Sequence, residues 1–104
     1  MTLEQEFLSA AEQGNLALLK HCLDKGVDIN TTNRQGRTAI VNASLNKHYE
    51  CVTFLINAGA DINKQDQTCF NPFLLSCLNN DLTLLRIVLP AKPDLDLLTR
   101  FGGV

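Results

Sequence analysis

Gly36-Arg37-Thr38-Ala39-Ile40 opens, and Gly59-Ala60-Asp61-Ile62-Asn63 closes, the stretch of chain that decides the fold. The closing pentapeptide has a counterpart 33 positions earlier, Gly26-Val27-Asp28-Ile29-Asn30. A further step of 33 reaches Pro93-Asp94-Leu95-Asp96, which keeps the order Asp, apolar residue, Asn or Asp. The opening is repeated as well, by Cys69-Phe70-Asn71 and by Gly102-Gly103-Val104. A fixed period in this range marks a stacked array, in which each unit buries its apolar face against its neighbours.

Each unit reads as two short helices and a loop. In the first, Glu4 to Gln13 places Phe7, Leu8, Ala10 and Ala11 at helical spacing, Gly14-Asn15 breaks the pattern, and a second helix with Leu16, Leu18, Leu19, Cys22 and Leu23 stops at Gly26. No hairpin precedes this first helix. Its polar side (Gln5, Glu6, Glu12, Gln13) suits an N-terminal cap. In the second unit Thr38 is a good N-cap, Ala39 to Asn46 is the inner helix, Lys47-His48 the turn, and Tyr49 to Asn57 the outer helix with Cys51, Val52, Leu55 and Ile56 apolar. In the third, Asn71-Pro72 is a stronger start signal, because Asn caps and proline at the first helical position wastes no hydrogen bond. Phe73 to Leu78 is its inner helix, Asn79-Asn80-Asp81 the turn and Leu82 to Leu89 the outer helix, stopped by Pro90 and Pro93. The loops Asp28 to Arg37, Asn63 to Phe70 and Leu95 to Phe101 have no apolar period and read as hairpins. The expected divisions are 1–32 for a capping unit, 33–65 and 66–98 for two full units, and 99–104 for the start of an incomplete fourth. On that reading the chain is a fragment of a longer array, with the apolar side of its third unit exposed.

Composition narrows the function. Apolar residues make up 45% of the 104 residues, enough for a packed core and too many for a disordered chain. The net charge of −2 argues against a dedicated nucleic-acid binder, which must neutralise many phosphates. No apolar run is long enough to span a membrane, and the acidic start Met1-Thr2-Leu3-Glu4 lacks the basic region of a secretion signal. The four cysteines, at 22, 51, 69 and 77, fit no zinc spacing. Cys22, Cys51 and Cys77 fall at positions expected to be buried, as small hydrophobes in a reducing compartment. Cys69 falls in a loop and is expected to be accessible. These features together predict a cytoplasmic protein.

The units resemble the ankyrin-repeat family. Asn33-Arg34-Gln35-Gly36-Arg37-Thr38-Ala39-Ile40-Val41-Asn42-Ala43 follows the family's opening pattern and Gly59-Ala60-Asp61-Ile62-Asn63 its ending; Asp66 to Ser76 follows the opening less closely. Val41 and Leu74 stand where the family has a helix-capping histidine. Lys47 and Asn80 stand where Gly14 keeps the family's turn glycine. The divergent, Asn-rich and Cys-containing units are similar to small bacterial ankyrin proteins. The resemblance implies an all-α solenoid of helix-turn-helix units joined by β-hairpin loops.

Chemistry has little to work with. Ser9, Ser44 and Ser76 lie on inner helices, whereas His21 sits on an outer helix and His48 at a turn, so no nucleophile and base are paired. Asp28/Asn30 and Asp61/Asn63 look like metal-ligand pairs, but one such pair per unit at the base of a loop reads as turn structure. No catalytic residue, cofactor or metal is expected. The resemblance implies instead a concave binding surface made of hairpin tips and inner helices. Carried over by position, this gives Arg34, Gln35, Arg37, Leu45, Asn46, Gln67, Phe70, Leu78, Asn79, Arg100 and Phe101 as partner-binding residues. Leu45 and Leu78 are apolar where solvent is expected, and arginine and aromatic side chains are favoured interface anchors. Single exposed leucines are also ordinary surface. The expected function is non-catalytic binding of a protein partner, with an apolar stripe on Leu45/Leu78 and acidic partner groups near Arg34/Arg37. The alternatives are self-association by stacking through the C-terminal unit, and service as the recognition arm of a larger protein.

Overall fold

The computed structural model describes residues 2–96. Six helices follow one another: α1 (Leu3–Gln13), α2 (Leu16–Asp24), α3 (Ala39–Leu45), α4 (Tyr49–Asn57), α5 (Pro72–Leu78) and α6 (Leu82–Val88), with a 3-10 turn at Leu89–Ala91. They stand as three antiparallel pairs. The inner helices α1, α3 and α5 pack in sequence against one another, and the outer helices α2, α4 and α6 do the same behind them.

Local sequence explains where each helix begins. Thr2 accepts from the Gln5 N–H while the Gln5 side chain accepts from the Thr2 N–H, a reciprocal cap that starts α1 one residue before Glu4. Asn15, Thr38, Asn71 and Asp81 each accept a hydrogen bond from the backbone two or three residues into their helices. His48 is the exception and makes no side-chain cap.

The turns carry the period in their backbone. Gly14, Lys47 and Asn80, 33 residues apart, all have positive φ (78°, 60° and 52°). Gly36 and Cys69 form a second such pair at the loop tips (76° and 67°). The geometry is therefore held even where glycine is gone, at a steric cost of about 1 kcal/mol for each side chain placed there.

The core runs the length of the stack, from Phe7, Leu19 and Cys22 through Ile40, Val41, Val52 and Leu55 to Leu74, Leu84 and Val88. Val41 and Leu74 are fully buried, so these side chains pack where a histidine would cap. Two expectations about burial are corrected. Cys77 is exposed, unlike Cys22 and Cys51, because no described helix covers the far side of α5. Leu45 is half-buried against the core, because α5 packs beside α3.

The loops close as hairpin-like turns without becoming strands: among the described residues Asn33 N–H donates to Arg37 O (3.0 Å) and Asp66 N–H to Phe70 O (2.9 Å), and no strand forms. The expected hairpin at 95–101 and the start of a fourth unit at 99–104 lie, apart from Leu95 and Asp96, outside the described residues.

Candidate functional site

The Asp-apolar-Asn signature builds a ladder. Asp28 Oδ1 accepts from Asn30 N–H (2.9 Å), and Asn30 Oδ1 accepts in turn from Asp61 N–H (2.8 Å). Asp61 Oδ1 then accepts from Asn63 N–H (2.9 Å), and Asn63 Oδ1 from Asp94 N–H (2.8 Å). Each unit therefore hands a hydrogen bond to the next, and these side chains serve backbone donors.

The loop tips are joined in the same way. Gln67 N–H donates to Gln35 O and Gln67 Nε2 to Arg34 O, both at 2.9 Å. Arg37 Nε lies 3.0 Å from Asp66 Oδ2. Asp66 also accepts through Oδ1 from Thr68 N–H (2.8 Å), Thr68 Oγ1 (2.6 Å) and Phe70 N–H (2.9 Å). Burial pushes the Asp66 carboxyl upward, but the hydrogen bonds from Thr68, Phe70 and Arg37 outweigh it and hold the group below its ordinary value. The tips thus form one continuous surface in which polar side chains hold the backbone.

The expected contact residues separate into two groups. Arg34, Gln35, Asn46, Gln67, Leu78 and Asn79 are exposed. Arg37, Leu45 and Phe70 are half-buried. Arg37 is engaged by Asp66, so it belongs to the scaffold as much as to the surface. Arg100 and Phe101 lie outside the described residues.

Beside Arg34 the surface opens into a groove of about 470 Å³. One wall is α1 (Glu4, Gln5, Leu8, Ser9, Glu12), the other is Thr32, Asn33 and Arg34, and Asn42 of α3 lies between them. Its two carboxylates against one arginine reverse the charge expected near Arg34. Nothing in the sequence immediately around Asn42 marks it as part of a site. One repeat later the same position is Leu75, buried in the core, and that mismatch between aligned units was the available signal. His48, expected as a polar residue of the inter-helix turn, stands there: its ring packs on Gly14 and its Nε2 lies 3.0 Å from Glu12 O.

Nucleophile chemistry is not assembled among the described residues. Ser44 Oγ donates to Ile40 O (2.7 Å) and Ser76 Oγ to Phe73 O (2.6 Å), each within its own helix. Burial, with Glu6 adding to it, pushes the Cys22 thiol up, and burial, with Glu50 adding to it, does the same to Cys51. Both therefore stay as thiols. No helix of the described residues is long and apolar enough to cross a membrane.

A stack of helix pairs with tied loop tips is a repeat scaffold. The chain belongs to the ankyrin-repeat family, whose pattern (ankyrin repeats, many copies) it matches over residues 7–56 and 43–89. It is similar to the ankyrin repeat protein YahD of Escherichia coli (strain K12), with 67% identity over 98% of this chain and 51% of YahD. Shorter matches include ankyrin repeat domain-containing protein 29 of Danio rerio (53% identity, 54% of this chain and 19% of that protein). Another is the potassium channel AKT1 of Arabidopsis thaliana (41% identity, 62% of this chain and 8% of that protein). The chain spans about half the length of YahD and far less of the other two. Ankyrin repeats generally mediate protein–protein interaction, and the family is generally non-catalytic.

Proposed function

We propose that this chain is a non-catalytic, cytoplasmic interaction module that presents a concave surface of loop tips and inner helices to a protein partner, in units bounded at 1–32, 33–65 and 66–98. The observation that carries this reading is the tying of the tips. Gln67 holds the backbone of Arg34 and Gln35, and Asp66 holds Arg37, so the surface is shaped before a partner arrives. A preorganised surface loses little conformational freedom on binding. Arg34, Gln35, Asn46, Gln67, Leu78 and Asn79 are its contact residues, with Phe70 supporting from beneath. Affinity capture from native extract, with the parent-length protein beside an Arg34→Glu/Leu78→Asp variant, tests it. Both substitutions fall on exposed side chains, so the variant keeps its fold. A partner recovered by the parent and lost by the variant supports the reading. Identical recovery by both contradicts it.

A second reading is favoured by the far side of the third unit. Leu78, Leu82 and Leu89 are 53%, 58% and 46% exposed. Their counterparts one unit earlier, Leu45, Tyr49 and Ile56, are half-buried. That side is therefore a stacking surface for a further repeat, either of a longer chain or of a second copy. Mass that rises with concentration and returns to the monomer value in a Leu78→Asp/Leu82→Asp variant supports self-stacking. A constant monomer mass contradicts it.

A further inference from the structure

We propose that the groove between α1 and Thr32–Arg34 holds an extended peptide segment with cationic side chains, Asn42 pairing with its main chain and Glu4 and Glu12 with its cations. The proposal rests on the interaction-module reading and gives that reading a location and a partner chemistry.

Asn42 is the first reason. It is only 7% exposed, yet it lines the groove. Its Nδ2 reaches Leu8 O at 3.4 Å, the long end of a hydrogen bond. Its Oδ1 has no protein donor among the described residues. No buried side-chain N or O atom among the described residues lacks a partner, so this acceptor is open to solvent, where a peptide N–H can take the place of water. Stability alone favours hydrocarbon at this position, as Leu75 shows in the next unit. A carboxamide donates and accepts at once, which matches a peptide group presenting its own C=O and N–H.

The α1 wall is the second reason. Glu4, Leu8 and Glu12 follow at steps of four residues and so lie in one row along the helix. Glu4 and Glu12 are exposed, and neither is in an ion pair among the described residues. Leu8, buried between them, gives the wall an apolar middle. The row spans about 12 Å by helical rise, close to four residues of extended chain at about 3.3 Å each. Side chains of an extended segment alternate sides, so residues i and i+4 face Glu4 and Glu12 together. The opposite wall carries Arg34, which meets the segment's other side and favours neutral or acidic residues there. The groove thus discriminates by side, reading a cation–x–x–x–cation pattern and rejecting a uniformly basic run.

Fluorescence polarisation with the full chain tests this. The probes are a labelled nonapeptide with lysines at its third and seventh positions among Gly, Ser and Thr, and a twin with glutamates at those two positions. The lysine peptide binds about tenfold tighter than its twin, and the preference fades with added salt. Asn42→Leu, which copies the core residue of the next unit and so folds, weakens binding about fivefold or more. Glu4→Gln/Glu12→Gln removes the preference between the probes. Equal binding of the two peptides overturns the proposal, as does unchanged binding by Asn42→Leu. A captured protein partner that still binds the double Gln variant overturns this site while leaving the interaction-module reading in place.

Discussion

Arg37 Nε stands 3.0 Å from Asp66 Oδ2, and the Asp66 side chain is 1% exposed while that of Arg37 is 27% exposed. The pair joins the loop of the second unit to that of the third, and the same carboxylate also organises its own loop. Removing it strands the Thr68 and Phe70 donors. Asp66→Ala is expected to destabilise the fold by about 2–3 kcal/mol in urea unfolding. Asp66→Asn costs less, about 1 kcal/mol, because Asn33 at the corresponding place one unit earlier accepts from Gln35 N–H and Arg37 N–H as an amide.

The same carboxylate makes the fold acid-sensitive. Asp66 and Asp81 are both held below the ordinary value of 3.8; at Asp81 burial pushes up, and bonds from Leu84 N–H and Tyr49 Oη, with Lys47 nearby, win. The unfolded chain therefore binds protons more tightly than the folded one, and stability rises with pH across this range. Unfolding free energy is expected to be flat from neutral pH down to about 5 and to fall as pH drops through 3.8 toward the depressed values. In Asp66→Asn that fall becomes shallower, as thermal melts across pH will show.

Tyr49 Oη donates to Asp81 Oδ2 at 2.8 Å, tying the start of α4 to the start of α6. Tyr49→Phe removes only the hydroxyl and leaves Asp81 its cap to Leu84 N–H. The expected loss is about 1 kcal/mol, and hydrogen exchange is expected to speed up first in α5 and α6.

Lys47 and Cys69 occupy left-handed positions held by glycine one unit earlier. Lys47→Gly and Cys69→Gly are each expected to raise stability by about 0.5–1 kcal/mol, the relief of the Cβ clash exceeding the extra chain entropy. Gly14→Ala acts the other way. A Cβ there comes within 2.6 Å of His48 Nδ1, and the His48 ring must move off the first turn.

Thiol titration separates the cysteines. Cys69 and Cys77 are exposed and Cys22 and Cys51 are buried, so a native sample is expected to react rapidly at two thiols and to yield four only in denaturant.

Much of this architecture was legible because its causes are local. The step of 33 from Asp28 to Asp61 to Asp94 reads directly, and so do the caps at Thr38 and Asn71-Pro72. Burial at the end of the stack was not legible. Cys77 occupies the same periodic place as the buried Ser44, and only the absence of a described helix beyond α5 separates them. Arg37 looked like a free surface cation because its partner Asp66 lies 29 residues away in sequence. The groove arises where α1, the second loop and α3 converge. No stretch of sequence contains it, and Asn42 becomes conspicuous only when set against Leu75.

The measurement that tests the central claim most directly is an amide chemical-shift map of the full chain titrated with its captured protein partner. The account predicts shifts concentrated on the concave side: Glu4 to Glu12, Asn33 to Gln35, Asn42, Asn46, Gln67 and Leu78. Shifts confined to the outer helices α2, α4 and α6, with the loop tips and α1 unmoved, contradict it.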